Sequence, residues 1–389
     1  MPANSMREVG KRVATLRRAR RMTQLDLARA AFVSPSMLRK IEQGSRMPGD
    51  DTLDSLAAAL DVDPTRLLTG SARLDTRVRD ALPALSAAIT AYDIPDDGPV
   101  RPLTELHAAV AEATSWRLAA HYVQIASHLP SLLTELSRAV QTMPDAAPLM
   151  TAALRAADAA AYKYGAHDLS ARLVELMRWS AARTENQLLD ATVAYVRTET
   201  FFAARAHRSG LRALEAALDK MPPPTTEVVA TATRGALHMR AAVIAGRAGD
   251  STAAELHLAE ARTFGEQVRE GTYLGTAFGP DSVRIHEVSV AVSLGSDHVQ
   301  RALDVARMWS PPRALPEERR SGFYIELARA QLWAGLPDDS FESLKTARHI
   351  APQHTREHLW AREDAATLRR LKRADVDTLT RFAEWIGAI

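Results

Sequence analysis

The sequence predicts an all-α protein in which a short basic domain precedes a long array of helix pairs. Apolar residues recur at spacings of three and four along most of the chain, and the alternation typical of strands is missing. Residues that favour helices, above all Ala, Leu, Arg and Glu, dominate the part after residue 102. A length of 389 residues exceeds what one compact core usually serves, so we expect several domains or a repeat array.

Composition narrows the class of protein. Charged residues make up 25% and hydrophobic residues 46% of the chain, as in ordinary soluble proteins. No stretch approaches the ~18 uninterrupted apolar residues of a membrane helix. The first residues lead straight into an arginine-rich segment without an apolar signal region, so we expect a cytoplasmic protein with no membrane contact. The absence of cysteine excludes disulfides, thiolate metal sites and cysteine nucleophiles.

Positive charge is concentrated at the start of the chain. Residues 1–46 hold eleven basic and three acidic side chains, a net charge of +8, whereas the whole chain carries +2. The remainder is therefore acidic overall. This asymmetry indicates a polyanionic partner for the N-terminal segment, with a merely solvated basic face as the alternative.

The first two predicted helices follow from apolar spacing and a capping residue. Val9, Val13 and Leu16 recur at intervals of four and three, which predicts a helix over about residues 7–20. Thr23 can cap a second helix with its hydroxyl group. A turn of three residues then leads to the third helix.

The third helix carries a start and a stop signal. Ser34 is a capping residue, and Pro35 occupies the first helical position, where a missing N–H costs nothing. Leu38 and Ile41 point inward, and Gly44 ends the helix in the left-handed conformation that glycine tolerates. The residues predicted to face outward are Ser36, Met37, Arg39 and Lys40.

Two further helices complete this domain. Apolar spacing predicts a fourth helix over residues 52–60 and a short fifth over residues 64–68. The second and third helices, joined by a short turn and presenting small and basic side chains, form a unit that fits the major groove of DNA.

The segment MTQLDLARAAFVSPSMLRKIEQGSRMPGDDTLDSLAAALDV, residues 22–62, resembles the helix-turn-helix domain of the phage-repressor or Xre family. The shared features are the T-Q start of the second helix, the I-E-x-G end of the third and the T-L-x-x-L-A fourth helix. The resemblance implies a five-helix, lambda-repressor-like domain over residues 1–70 that binds double-stranded DNA at a palindromic operator. Carried over by position, the DNA-binding residues are Gln24, Ser34, Pro35, Ser36, Met37, Arg39, Lys40 and Arg46.

The resemblance also implies roles for six of these side chains. Gln24 would contact a phosphate or a base edge, and Pro35, Ser36 and Lys40 would face base edges. Arg39 and Arg46 would contact the DNA backbone.

Two departures from the family pattern matter. Phe32 occupies the turn position usually held by glycine, so either its φ is positive or the turn is reshaped. Pro35 cannot make the paired amide contact to adenine that Gln or Asn makes, so the operator sequence is not predicted. A helical unit of this kind can also serve as a protein scaffold, which is the alternative to DNA binding.

A connecting region follows over residues 71–102. Apolar residues from Val78 to Tyr92 keep helical spacing, which predicts one amphipathic helix. The segment DIPDDGPVRP, residues 93–102, holds three prolines and one glycine and predicts the domain boundary.

Residues 103–389 are predicted to form a degenerate helical repeat. The clearest unit is Ser321–Pro352, two helices with Gly335 at the turn, and residues 241–261 repeat it with Gly249. A weaker copy spans residues 283–311. Earlier units are marked by Gly165 and Gly210. The region resembles a tetratricopeptide (TPR) solenoid of about seven helix pairs, with a concave face as the natural ligand site.

The combination of an Xre-type domain with such a solenoid resembles the layout of bacterial quorum-sensing and developmental regulators, several of them actinobacterial. The resemblance implies a homodimeric transcriptional regulator. A small-molecule or peptide signal would change the spacing of its two DNA-binding domains. The alternative from another class is a non-enzymatic interaction scaffold with a vestigial helix-turn-helix.

Aromatic and basic side chains crowd the middle repeats and predict a ligand pocket, with ordinary helix packing as the alternative. The candidate ligand-binding residues are Trp116, Tyr122, Tyr162, Tyr164, Trp179, Arg197, Phe201 and Arg240. Asparagine occurs only at Asn4 and Asn186, so a peptide held by a ladder of Asn side chains is disfavoured. A small molecule, a differently held peptide and a protein partner remain open.

The chain offers no basis for catalysis. It lacks a Gly-rich phosphate loop, a nucleophile elbow and a paired-carboxylate motif, so we expect neither an enzyme nor a cofactor. His354 and His358 are spaced to share one helix face, but Pro352 interrupts the helix and a third ligand is not assured. We therefore expect no metal site.

Overall fold

The computed structural model describes residues 3–60, 62, 67, 73–223, 226–371 and 376–388. Twenty α-helices, one 3₁₀ turn and two short strands lie within these residues, which confirms the all-α fold class. The first helices in chain order are α1 (Ala3–Ala19), α2 (Gln24–Ala30), α3 (Pro35–Glu42), α4 (Asp50–Ala59), α5 (Arg73–Ala88), α6 (Leu103–Leu118) and α7 (Tyr122–Thr142).

The chain continues with six helices, a hairpin and seven more helices. The six are α8 (Ala146–Lys163), α9 (His167–Ala181), α10 (Gln187–Ala203), α11 (His207–Lys220), α12 (Val228–Arg247) and α13 (Ser251–Gly265). The hairpin consists of β1 (Gly271–Tyr273) and β2 (Thr276–Phe278). After it come α14 (Pro280–Leu294), the 3₁₀ turn Ser296–His298, α15 (Val299–Met308), α16 (Glu317–Trp333), α17 (Pro337–Ile350), α18 (Pro352–Glu357), α19 (Leu359–Leu371) and α20 (Val376–Ile386).

The contacts between described residues divide the chain into two compact units. One contains the described residues up to Arg77 together with those from Arg362 onward, and the other spans Val78–Ala361. This division differs from the boundaries expected at residues 70 and 102. It also places the end of the chain with the N-terminal helices, whereas the sequence assigned that end to the repeat region.

The first unit is built around the predicted apolar stripe. Val9, Val13 and Leu16 of α1 are buried with Leu38 and Ile41 of α3 in one core. Helix α1 begins at Ala3, earlier than the expected residue 7. The predicted fifth helix, residues 64–68, lies outside the described residues apart from Leu67, which is helical and buried.

Two glycines of this unit allow close packing of the chain. Gly10 faces α3, where a Cβ atom would lie 2.2 Å from the carbonyl oxygen of Ile41. Gly44 has φ +70°, as predicted for the residue that ends α3, and a Cβ atom there would lie 2.7 Å from Arg7. A side chain at either position would push α1 away from α3.

In the second unit, helices joined by short turns pack against each other as pairs. The pairs are α6 with α7, α8 with α9, α10 with α11, α12 with α13, α14 with α15, and α16 with α17. The first helix of each pair also contacts the first helix of the next pair, through α6, α8, α10, α12, α14 and α16. Helix α16 contacts α6 as well, so the first and last of these helices meet.

The predicted helix pairs are present with one difference in register. The unit Ser321–Pro352 consists of α16 and α17 with Gly335 at φ +76°, and Gly249 and Gly165 occupy equivalent turns at φ +76°. Gly210, in contrast, lies inside α11 and not at a turn. A Cβ atom there would lie 2.3 Å from Ile244, so close helix packing explains this glycine.

A β-hairpin between α13 and α14 was not predicted. Gly271 pairs with Phe278 and Tyr273 with Thr276, in antiparallel register. Strands of three residues are too short to show an alternating pattern, and the turn lacks the Asn-Gly or Asp-Gly signal. Its two central residues, Leu274 and Gly275, nevertheless have φ values of +46° and +74°, the sign that a type I′ turn requires.

Residues 93–102 contain no helix or strand, in agreement with their proline content. They are nevertheless anchored in the second unit. The main-chain N–H of Arg101 donates to Glu135 at 2.8 Å, its guanidinium pairs with the same carboxylate at 2.7 Å, and Arg138 donates to the carbonyl of Pro99. Helix α5 ends at Ala88, before the expected Tyr92.

Among the described residues, no helix has the length and apolar character needed to cross a membrane.

Candidate functional site

The helix-turn-helix is fixed by two capping residues. Thr23 and Asp26 form a capping box at the start of α2, with Asp26 N–H donating to Thr23 Oγ1 at 3.1 Å and Thr23 N–H to Asp26 Oδ2 at 2.8 Å. Ser34 Oγ accepts from the N–H of Met37 at 3.1 Å, with Pro35 at the first helical position. Both caps match the sequence prediction.

Helix α3 separates an inner face from an outer one. Leu38 and Ile41 are fully buried in the core of the first unit. The predicted DNA-binding residues that are exposed on α3 and beside it are Ser34, Pro35, Ser36, Arg39, Lys40 and Arg46. This exposed set combines small side chains with three positive charges.

Two of the predicted DNA-binding residues are placed differently. Met37, expected to face outward, is half-buried and packs against the core of the first unit, because it lies next to Leu38 and one turn before Ile41. Gln24 is half-buried, and its Nε2 donates to Glu42 at 2.7 Å.

Glu42 connects three helices through its carboxylate. Its Oε1 accepts from Arg17 Nε at 2.6 Å, and its Oε2 accepts from Arg17 Nη2 at 3.0 Å and from Gln24. Burial raises the pKa of Glu42, but the hydrogen bonds from Arg17 and Gln24 outweigh it, so the net shift is downward. The ionised carboxylate therefore fixes the start of α2 against the end of α3.

Phe32 has a positive φ, which is the first of the two alternatives considered for the turn. Its φ is +53°, the left-handed region that favours glycine, and its side chain is 96% exposed. The turn therefore keeps its geometry with a strained residue whose side chain is not packed.

The described part of the second unit contains a polar cavity of about 170 Å³. Its walls come from the first helices of the pairs and from the segment around α18. The charged side chains in its lining are Arg117, Arg155, Asp158, Lys163, Glu199, Arg240, Glu318, Arg319 and Glu326. Burial of this many charges requires that each finds a partner.

Two of these arginines bind the tip of the β-hairpin. Arg117 Nη2 donates to the carbonyl oxygen of Gly275. Arg155 Nη1 donates to the carbonyl of Leu274 at 2.8 Å, and its Nη2 donates to Thr276 Oγ1 at 2.8 Å. Burial, together with the neighbouring charge of Arg117, lowers the pKa of Arg155 to about 9.

Arg319 also has neutral partners. It donates to the Tyr195 hydroxyl at 2.6 Å and to His286 Nε2 at 3.1 Å. Burial raises the pKa of Tyr195, but Arg319 and Arg240 outweigh it and shift the phenol pKa downward. Burial, followed by the charge of Arg319, lowers the pKa of His286 far below its usual value, so this imidazole is neutral.

A hydrogen-bonded chain lines another wall of the cavity. Lys163 pairs with Glu318 at 3.1 Å and donates to His354 Nε2 at 3.0 Å, while His354 Nδ1 lies 2.6 Å from Ser321 Oγ. Burial and then the charge of Lys163 lower the pKa of His354 to about 3, so the ring is neutral. Its Nε2 therefore accepts a hydrogen bond from the Lys163 ammonium group. His358 contacts His354 ring to ring at 5.5 Å.

The structure brings one predicted ligand-binding residue into this cavity. Arg240 lines it, donating to Thr198 Oγ1 at 2.6 Å and pairing with Glu199 at 3.4 Å. Arg197 instead lines a separate open groove of about 630 Å³ on α9, α10 and α11. The other predicted residues pack among the helices: Tyr122 and Tyr164 are buried, and Trp116, Tyr162, Trp179 and Phe201 are half-buried.

Comparisons with known proteins bear on the first unit. Residues 13–67 match the family model described as helix-turn-helix. No curated protein matches the chain.

Solved structures similar to this chain include the following two. One is the apo form of the competence regulator ComR from Streptococcus vestibularis, with 12% identity, 95% of this chain and 98% of that chain covered, and a TM-score of 0.31. The other is PlcR from Bacillus thuringiensis in complex with the peptide PapR7 and DNA. It is 15% identical, the match covers 66% of this chain and 94% of that chain, and the TM-score is 0.28. These TM-scores are too low to establish a common overall arrangement. The match over residues 13–67 and the geometry of α2 and α3 agree: the N-terminal region of this chain carries a helix-turn-helix domain.

Proposed function

We propose that this protein is a sequence-specific DNA-binding transcriptional regulator. The observation that carries the proposal is the division of α3 into a buried apolar face and an exposed face of small and basic residues. A helix of this kind, preceded by a capped helix and a tight turn, fits the major groove. The net charge of +8 over residues 1–46 supplies the attraction to the phosphate backbone.

The exposed residues divide into two roles. Pro35, Ser36 and Lys40, near the start and along the outer face of α3, read base edges. Arg39 and Arg46 bind phosphates and set the register on the duplex. Gln24 donates one amide hydrogen to Glu42 and so holds α2 against α3, while its second amide hydrogen and its carbonyl oxygen would contact DNA.

The second unit, in this proposal, is a sensor and dimerisation domain of tetratricopeptide-like helix pairs. Two copies of the chain would place two helix-turn-helix domains on a palindromic operator, as closed two-fold assemblies commonly do. The cavity of about 170 Å³ supports a small-molecule effector, and the open groove of about 630 Å³ on α9, α10 and α11 supports a peptide effector. In this proposal the protein acts on DNA and therefore works in the cytoplasm. The polar groups of the cavity support a ligand site and do not suggest catalysis.

The proposal is tested by selecting duplexes from a random pool with the full chain. We expect enrichment of a palindromic motif by the native protein and loss of that enrichment in Arg39→Ala/Lys40→Ala. Arg212→Ala/Lys220→Ala removes two positive charges from exposed positions of the second unit and serves as the matched control. Equal enrichment by both double variants would contradict the assignment of α3 as the recognition helix.

One observation favours a second function. Phe32 is 96% exposed and Leu25 is 45% exposed, both in the helix-turn-helix, and such apolar exposure suits a protein partner. In that case the helix-turn-helix domain would bind another protein and act as part of an interaction scaffold. A scaffold would show no enrichment of any duplex in the selection.

A further inference from the structure

Arg117 and Arg155 are buried cations whose hydrogen-bond partners are neutral. Each is 7% exposed, and both donate to the hairpin tip formed by Leu274, Gly275 and Thr276. A Cβ atom at Gly275 would lie 3.1 Å from Arg155 Nη1 and 3.3 Å from Arg117 Nη2. The two guanidinium groups therefore converge on one point of the tip.

Carbonyl and hydroxyl oxygens are weaker partners for a guanidinium than an anion is. Bonds between an ionised donor and a carboxylate or phosphate are about twice as strong as neutral ones, and arginine can form them in pairs. A buried cation without an anionic partner is costly. Arg117 and Arg155 would therefore gain from exchanging the hairpin tip for an anion.

The cavity beside the two arginines holds both signs of charge, since Lys163, Arg240 and Arg319 line it together with Asp158, Glu199, Glu318 and Glu326. Arg319, which lines the same cavity, bonds Tyr195 and His286 and so adds a third cation with neutral partners. Burial raises the pKa of the Tyr195 phenol, yet Arg319, Arg240 and Arg155 together shift it downward. The guanidinium groups around the Tyr195 hydroxyl, together with the hydrogen bond from Arg319, are the cause of this shift.

The hairpin tip is suited to leave its place. Leu274 holds φ +46°, a conformation that is strained for a non-glycine residue and persists only while its surroundings enforce it. Leu274 is 37% exposed at the tip, whereas Phe278 at the base of β2 is fully buried against Gly235. The base of the hairpin, which includes Thr276 at 5% exposure, is thus fixed, while Leu274 and Gly275 at the tip are held by the bonds that Arg155 and Arg117 donate to their carbonyl oxygens.

We propose that Arg117 and Arg155 bind the carboxylate or phosphate group of a small effector, and that the hairpin tip is the internal occupant which this anion displaces. The inference rests on the proposed function, since it names the chemical class of the effector sensed by the second unit. The cavity beside the tip has a volume of about 170 Å³, equal to that of about six water molecules in the liquid, which suits a compact metabolite.

The test is calorimetric titration of the full chain with succinate and, separately, with inorganic phosphate, at ionic strength held constant with sodium chloride. We expect saturable binding of at least one anion at one site per chain, and at least tenfold weaker binding in Arg155→Gln. Binding of succinate alone identifies a carboxylate effector, and binding of phosphate alone identifies a phosphorylated one. Absence of saturable binding of both anions would overturn the proposal.

A second variant separates displacement of the tip from a purely structural role of the arginines. Gly275→Ala strains the tip at φ +74° and crowds both guanidinium groups, so anion binding should tighten about fivefold. Gly249→Ala introduces the same strain at φ +76° in a turn with nothing within 4 Å, and should leave anion affinity unchanged. Damage to the fold cannot tighten binding, so tighter binding in Gly275→Ala would support displacement of the tip. Weaker or unchanged binding would overturn the displacement step.

The titration is carried out without DNA, which separates this inference from the proposed function. DNA affinity is then measured separately, with and without saturating anion. If the anion binds and the DNA affinity is the same in both cases, the anion site is supported and the sensor role of the second unit is contradicted. Absence of anion binding together with intact operator selection would overturn the anion site and leave DNA binding established.

Discussion

Arg20 and Glu384 are joined by two hydrogen bonds although 364 positions separate them in sequence. Arg20 Nη1 lies 2.5 Å from Glu384 Oε1 and Nη2 lies 2.9 Å from Oε2, so the guanidinium and the carboxylate meet side by side. The Glu384 side chain is 6% exposed and that of Arg20 is 18% exposed. The C-terminal helix α20 is thereby attached to the residue that follows α1 of the helix-turn-helix.

Replacement of Glu384 should destabilise the helix-turn-helix unit. Loss of one partner of a largely buried pair leaves the other charge uncompensated, so Glu384→Gln should lower the free energy of unfolding by about 2 kcal/mol. Denaturant unfolding of the full chain measures it. Glu8→Gln, which breaks the exposed Lys11–Glu8 pair, is the control and should cost less than about 0.5 kcal/mol. Equal losses in the two variants would show that α20 does not support this unit.

Phe32 predicts a stabilising substitution. Because its φ is +53° and its side chain is 96% exposed, Phe32→Gly should relieve strain without loss of packing and raise the free energy of unfolding by about 1 kcal/mol. Phe32→Ala keeps the strain and should leave stability nearly unchanged. Thermal unfolding of the three proteins compares them. A loss of stability in Phe32→Gly would show that the exposed ring contributes a contact.

The lowered pKa of Glu42 predicts how the stability of the helix-turn-helix falls in acid. Its folded-state pKa lies below the ordinary value of 4.5, so the ionised carboxylate stabilises the fold above that pH. This contribution is lost as the pH falls from 4.5 through the folded-state pKa. Unfolding of the native chain should therefore become easier over this range, whereas Glu42→Gln should be less stable at pH 7 and less sensitive to acid. Parallel pH profiles of the two proteins would contradict a stabilising charge at this position.

The proposed regulator should be a dimer. One helix-turn-helix reads a short half-site, so two copies are needed for a palindromic operator. Sedimentation of the full chain at micromolar concentration should show a dimer in the presence of operator DNA. A single monomeric species both with and without DNA would remove the dimer from the proposal.

Local chemistry made the helix-turn-helix predictable. Thr23, Ser34 and Gly44 act within a few residues of their own positions, so their capping roles can be read from the sequence alone. The glycine turns at Gly249 and Gly335 were predictable for the same reason. Residues 93–102 were correctly expected to lack helix, but the pairing of Arg101 with Glu135 that anchors them depends on a contact across 34 positions.

Long-range contacts explain what the sequence could not predict. Arg117 and Arg155 meet a hairpin that lies 158 and 119 positions further along the chain, and 43 arginines offered no means of selecting these two. The aromatic residues expected to line a pocket pack among the helices, and their role in ligand binding stays a prediction. Tyr122 and Tyr164, for example, contact each other edge to face at 6.0 Å.

The salt dependence of operator binding tests the central claim most directly. The measurement is the slope of the logarithm of the association constant against the logarithm of salt concentration, for the native chain and for Arg39→Ala/Lys40→Ala. Each phosphate contact contributes about 0.9 to the magnitude of this slope, so loss of the phosphate contact of Arg39 should reduce it by about one, while loss of the base contact of Lys40 weakens binding at every salt concentration. Circular dichroism should show that both proteins are folded, since Arg39 and Lys40 are exposed. A reduction of about one supports DNA binding through α3, and an identical slope for the two proteins would contradict it.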